Sequence, residues 1–468
     1  MEQYKKLFSN SVIFAVGNLG SKVITFLMLP LYTYTLSTVE YGTVDLIVTT
    51  TSLLLPIVSL NIFDAVLRYA MDKRYDSKIV FTNGFFISMI TSTVLGILVP
   101  IAWIWKQEYS FLLILLIIQL FQNLFAQYAK AINEVKVFAL NGIILSFSTA
   151  ILNVVFLVVL DMKIIGYLVS LVIANFSAML YIYFKLNVFK LLNFRLINRK
   201  STLKLIKFSI PLIPNSIAWW ATNAVGRYFV VLFLGTASNG IFAVANKIPT
   251  LLTVFTTIFA QSWQISAIEE YENKKDGNFV SSVYNFYFFL LYVGSSGLLL
   301  LVKPLIILLV SDNFYISWMY IPFLLYSVIF SSAASFLGSQ YIAMENTIEV
   351  FKTTILGAVL NIILSLILIQ LLGLNGVGVS SFISFFVVWY VRHKNLEKTS
   401  ILYLNYKVFV INFFIILIQC VSYMFNLGLI LEVIQIGSFV TILLVNRLQL
   451  KKLSVLILNK LKANNKLL

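Results

Sequence analysis

The chain has 468 residues, 60% of them hydrophobic and 11% charged, with a formal net charge of +16. Its mean hydropathy is +0.94. Soluble domains run at about 45–50% apolar and about 25% charged, so a soluble protein is excluded and the basic excess does not require nucleic acid.

A spanning helix needs roughly 20 apolar residues. By that measure fourteen transmembrane spans are predicted, at 10–32, 43–64, 80–104, 110–129, 138–160, 164–186, 208–234, 240–267, 281–302, 317–341, 352–372, 375–391, 407–425 and 427–446. The apolar run from Ser11 to about Tyr34 is longer than a signal peptide's core of about 7–15 residues, and it reads as the first span. With the N-terminus in the cytoplasm, 28 of the 34 basic residues fall on the inner side, 3 in outer loops and 3 within spans. The positive-inside rule therefore predicts cytoplasmic N- and C-termini and explains the lopsided charge by topology.

Catalytic chemistry finds little support. The single cysteine, Cys420, and the single histidine, His393, exclude a disulfide framework and a Cys/His metal cluster. His393, beside Arg392 and Lys394, reads as a loop residue at a helix end. No G-x-x-x-x-G-K-[ST] phosphate loop is present, and Gly373–Gly378 reads as a tight turn between spans. The outer loops are too short to hold the carboxylates of a polymerase or glycosyltransferase. A transporter rather than an enzyme is expected, with no metal and no cofactor.

The chain repeats internally. Leu31-Tyr32 followed by Gly42 matches Arg227-Tyr228 followed by Gly240, and Leu152-Asn153 leading to Gly166 matches Leu360-Asn361 leading to Gly376. Six spans are an even number, so the two copies are parallel repeats. The expected domains are a six-helix bundle at 1–186, a basic cytoplasmic linker at 187–207, a second bundle at 208–393, and two additional helices with a basic tail at 394–468.

Polar residues line up at helical spacing. Span 1 has Ser11, Asn18 and Thr25 with Lys22 beside them. Span 2 has Asp45, Thr49, Ser52, Pro56 and Ser59. Span 7 has Asn215, Trp219, Asn223 and Arg227. Span 8 has Asn246, Thr250, Thr253, Thr257, Gln261 and Gln264, with Lys247 at the edge. The serine and amide stripes of spans 4 and 10 fit helix packing as well as a cavity, and spans 13 and 14 show no comparable stripe. A charge near the bilayer centre costs about 2.5–3.5 kcal/mol, so Lys22, Arg227 and Lys247 need a reason. Asp45 is the one nearby anion in the spans. The balance is positive and suits an anion, phosphate above all.

The segments Pro30-Leu31-Tyr32-x-Tyr34, Glu40-Tyr41-Gly42, Ala65-x-x-Arg68-Tyr69, Pro211-x-x-Pro214, Arg227-Tyr228, Leu152-Asn153 and Leu360-Asn361 resemble the Wzx-type polysaccharide-biosynthesis flippases. These belong to the multidrug/oligosaccharidyl-lipid/polysaccharide exporter superfamily. The resemblance implies an all-α polytopic fold: two six-helix bundles in a V plus two C-terminal helices, in a bacterial cytoplasmic membrane. It implies export of undecaprenyl-diphosphate-linked oligosaccharide repeat units by alternating access. The diphosphate would be received by Lys22, Arg227 and Lys247, in a cavity lined by Asn18, Asp45, Asn215, Trp219, Asn223, Asn246 and Gln261. Membrane lipids, and the glycosyltransferases and polymerase of the same pathway, are the expected partners. Many relatives carry Asp before the span-7 Arg, where this chain has Gly226, which leaves Arg227 without an adjacent counter-ion. Membrane potential, sodium or protons could drive the step, with Pro30, Pro56, Pro211, Pro214 and Pro249 as hinges. A lipid II flippase, a multidrug antiporter and a membrane-embedded polymerase or glycosyltransferase are the alternatives.

Overall fold

The computed structural model of the chain describes residues 23–24, 26–272, 278–344, 346–398, 402–425 and 428–451. They form helices, with no strand among the described residues. The helices fall into two compact units divided after Ala243.

In the first unit, α1 (Leu29–Thr35) ends the first predicted span, whose Asn18 and Lys22 lie outside the described residues. Then come α2 (Thr38–Val58), the short α3 (Ile62–Ala70), α4 (Ser77–Trp105), α5 (Gln107–Ala131), α6 (Val135–Asn153) with a π turn at Val154–Val159, and α7 (Lys163–Lys185). Two helices, α8 (Arg199–Ser209) and α9 (Leu212–Leu234), form the seventh span and break at Ile210-Pro211. A proline has no N–H to donate, so the ladder is interrupted there. The eighth span is α10 (Thr236–Ala245), at the end of the first unit, and α11 (Lys247–Glu272), which belongs to the second, with a 43° bend at Asn246.

In the second unit follow α12 (Asn278–Leu309), a 3₁₀ segment at Asp312–Tyr320, α13 (Ile321–Ala343), α14 (Thr347–Leu372), α15 (Asn375–Glu397), α16 (Tyr406–Ser422) and α17 (Leu429–Val445). Among the described residues ten helices are long and apolar enough to cross a membrane, the bent span 8 makes an eleventh, and α17 is a shorter apolar helix. The fold is all-α as expected, and these helices fit within a plan of about fourteen.

Between helices in lipid there is no hydrophobic driving force, so packing and hydrogen bonds hold them together. In the first unit Ile62, Val66, Phe81, Leu124, Tyr128 and Ile182 form a core from α3, α4, α5 and α7. In the second, α13 is buried at almost every position, and Ser331 and Ser335 of its serine stripe are two of the three positions that are not. Its Tyr326 stacks on Phe382 at 4.2 Å and donates to the Phe413 carbonyl at 2.9 Å, tying α16 to the bundle.

The repeat recurs at atomic detail. Asn83 on α4 donates to the Leu196 carbonyl at 3.2 Å and accepts from the Asn198 N–H at 3.1 Å. Asn285 on α12 donates to the Tyr403 carbonyl and accepts from the Asn405 N–H, both at 2.9 Å. Asn198 and Asn405 then cap the helices that follow. In each unit one asparagine clamps the chain as it leaves the bundle.

Two readings change. Arg392 and His393 are not in a loop; they are buried in the last turns of α15. Arg392 donates to the carbonyls of Ala334 and Val350 and to the hydroxyls of Thr353 and Thr354, and these partners allow a charged group to extend the helix. Spans 13 and 14 do carry polar contacts: Asn412 pairs with Asn446, and Gln419 with Gln435, in a buried seam between α16 and α17.

Candidate functional site: a charged seam in the first unit

Local chemistry sets the helix ends. Ser37 caps α2, its hydroxyl accepting from the Glu40 N–H while the Glu40 carboxylate accepts from the Ser37 N–H. This reciprocal box satisfies two of the orphan donors. Gly235, at φ +84°, ends α9 in a backbone conformation that favours glycine and turns the chain into α10.

A polar seam runs along α2 and α9. Asn61, beyond the end of α2, donates to Ser216 Oγ at 3.2 Å. Trp220 Nε1 donates to the Thr49 carbonyl and to Ser52 Oγ, each at 3.2 Å. Tyr228 Oη shares a 2.6 Å hydrogen bond with Thr50 Oγ1. Arg227 Nε donates to Asp45 Oδ2 at 2.9 Å, both side chains being about one fifth exposed. Ser216, Trp220 and Arg227 are four and seven residues apart, on one face of α9.

Asp45 reaches a third helix. Its Oδ2 also accepts from Asn239 Nδ2 on α10 at 3.3 Å, and the same amide donates to the Gly42 carbonyl at 2.8 Å. The Arg227 guanidinium carbon lies 5.7 Å from the centre of the Phe242 ring, within cation–π range. A Cβ on Gly42 would collide with the Thr236 carbonyl and Gly240 N, and a Cβ on Gly240 with the Thr38 carbonyl. Thr38 and Gly42 match Thr236 and Gly240 at one constant offset, so the contact is isologous, the form a two-fold relation produces.

Among the predicted site residues, Asp45 and Arg227 are brought together. The counter-ion missing at Gly226 is supplied by Asp45 from another helix, and the pair has no net charge. Asn215, Trp219 and Asn223 lie on the exposed side of α9, one residue round from the seam. Asn246 and Lys247 are half-buried at the break in span 8. Gln261 lies on α11, its side chain outside the described residues, as are Asn18 and Lys22. Sequence reasoning missed Asn239, which belongs to no stripe; its signal was its place directly before the repeat glycine Gly240. No group of three or more His, Cys, Asp or Glu placed to hold a metal occurs among the described residues.

The profile of the family described as "Polysaccharide biosynthesis protein" matches residues 7–265, more than half of the chain. Protein 1 of the Lsg locus of Haemophilus influenzae is 26% identical over 262 residues, which cover 53% of this chain and 63% of that protein. The aligned part thus spans less than two thirds of that relative. The lipid II flippase MurJ in an inward closed conformation superposes with a TM-score of 0.68 at 15% identity, over 93% of this chain and 99% of the other. An outward-facing multidrug resistance MATE family transporter of the MOP superfamily gives 0.60 at 14% identity, over 83% and 93%. These two share the fold.

Proposed function

Because the chain belongs to the polysaccharide biosynthesis protein family, we propose that it moves undecaprenyl-diphosphate-linked oligosaccharide units from the cytoplasmic to the outer leaflet. The single observation that carries the reading beyond the family is Arg227: a guanidinium held among apolar spans and still about one fifth exposed. Arginine matches phosphate with a fixed fork of donors. Lys22 and Lys247, the other two cations within the predicted spans, are further candidates for phosphate contact. The lipid tail stays in the bilayer while the headgroup crosses by alternating access. Moving one charge through 100 mV is worth about 2.3 kcal/mol, so an outward-moving dianion gains from an inside-negative potential. Valinomycin with external potassium is expected to slow export; unchanged flipping would remove the potential as a driver.

The test is flipping by the purified protein in proteoliposomes carrying a defined lipid-linked glycan. A lipid II carrier is the second reading, supported by the fold shared with MurJ over nearly the whole chain. The same proteoliposomes loaded with lipid II decide between them.

A further inference from the structure

The Asp45–Arg227 pair presents a difficulty for a phosphate carrier. An arginine meant for an anionic ligand is already bonded to an anion of the protein itself. The pair is neither a surface ion pair nor sealed, since each side chain keeps about one fifth of its exposure. Asp45 also does more than neutralise Arg227. Its carboxylate and the Gly42 carbonyl share one donor, the Asn239 amide, which is completely buried and whose own Oδ1 has no partner among the described residues. The anion therefore sits in a chain of contacts running from Arg227 on α9, through Asp45 on α2, to Asn239 and the glycine crossing on α10.

We propose that Asp45 is a displaceable stand-in for the substrate's phosphate: it occupies Arg227 while the carrier is empty and is expelled when a diphosphate arrives. This rests on the reading of Arg227 as the phosphate contact. A diphosphate brings more charge and more acceptor oxygens than one carboxylate and takes the guanidinium fork. Two anions cannot share the cation without repulsion, so Asp45 must leave Arg227. Its movement pulls on Asn239 and on the Gly42 carbonyl held by the same amide. Loading is thereby transmitted to the point where α2 and α10 cross. Asp45 is a positioning residue, and it has a second consequence: by competing for Arg227 it weakens the hold on substrate and returns to eject it. A carrier without this competitor binds more tightly and turns over more slowly.

The test uses the full-length purified protein with geranylgeranyl diphosphate as probe and geranylgeraniol as the phosphate-free control. Asp45→Asn is expected to bind the diphosphate about tenfold more tightly while transport by the same variant in proteoliposomes falls. Arg227→Gln is expected to lose the binding, alone and in combination with Asp45→Asn. Asp45→Ser removes the same charge from a smaller side chain and must move affinity in the same direction, which keeps the test open if Asp45→Asn does not fold. If Arg227→Gln weakens binding but neither Asp45 variant strengthens it, the stand-in idea is wrong and the carrier reading stands. If Arg227→Gln leaves diphosphate binding intact, the reading of Arg227 as the phosphate contact fails and the stand-in falls with it.

Discussion

Gly42 and Gly240 face each other where α2 crosses α10, the Thr236 carbonyl filling the space a Cβ on Gly42 would need and the Thr38 carbonyl the space a Cβ on Gly240 would need. The obstructing atoms are backbone and cannot rotate away. Gly42→Ala and Gly240→Ala are each expected to destabilise the protein by about 1–3 kcal/mol, as overpacking does, and to do so equally because the contact is isologous. Gly96, where an added methyl group would meet open space, is the control: Gly96→Ala is expected to stay within about 0.5 kcal/mol of the wild type. Thermal unfolding in detergent measures all three.

The clamps at Asn83 and Asn285 each use an amide as donor and acceptor at once. Asn83→Asp and Asn285→Asp keep the shape and the acceptor but lose the donor, and turn an oxygen toward a carbonyl. Each is expected to cost about 1–3 kcal/mol. Protease sensitivity at residues 193–202 and 402–407 is expected to rise in the corresponding variant and only there.

Arg392 joins α13, α14 and α15 through four acceptors, none of them a carboxylate. The terminal nitrogen of lysine cannot reproduce this fork. Arg392→Lys is expected to lower the melting temperature almost as far as Arg392→Ala. Gly338, whose Cβ would come within 3.0 Å of the guanidinium, is expected to tolerate alanine poorly for the same reason.

At the exposed end of α15, Glu397 accepts from Lys394 at 2.7 Å and from Tyr406 at 2.6 Å. These bonds hold its carboxyl below the usual carboxylate range, the Lys394 bond being the larger cause. A depressed acid stabilises the fold above its unfolded value, and the contribution is lost as pH falls through the folded value. The wild type is expected to out-melt Glu397→Gln at pH 7, with the gap closing below about pH 4. A gap independent of pH would show that the contact contributes through packing alone.

The spans were legible because fourteen long apolar runs leave few alternatives, and the repeat was legible in Gly42, Gly240, Asn153 and Asn361. Asp45 was already the one candidate anion for Arg227, although 182 residues separate them. The stripe at Asn215, Trp219 and Asn223 runs one residue round from the seam, on the exposed side of α9: helical spacing shows which residues share a face, not which face meets a neighbour. Arg392 and His393 misled because charge near a span's end ordinarily marks a loop, and only the hydroxyls and carbonyls of other helices made burial possible. The Asn412–Asn446 and Gln419–Gln435 pairs were invisible because two amides per helix make no stripe until the partner helix is in place.

The role of Arg227 in carrying a lipid-linked headgroup stands or falls on flipping in proteoliposomes, followed with a fluorescent undecaprenyl-diphosphate oligosaccharide and a quencher confined to the outside. The wild type is expected to move the lipid, and Arg227→Gln to reconstitute equally well but flip it at least about tenfold more slowly. Equal rates for the two proteins would overturn that role, as would a wild type that leaves the lipid where it was.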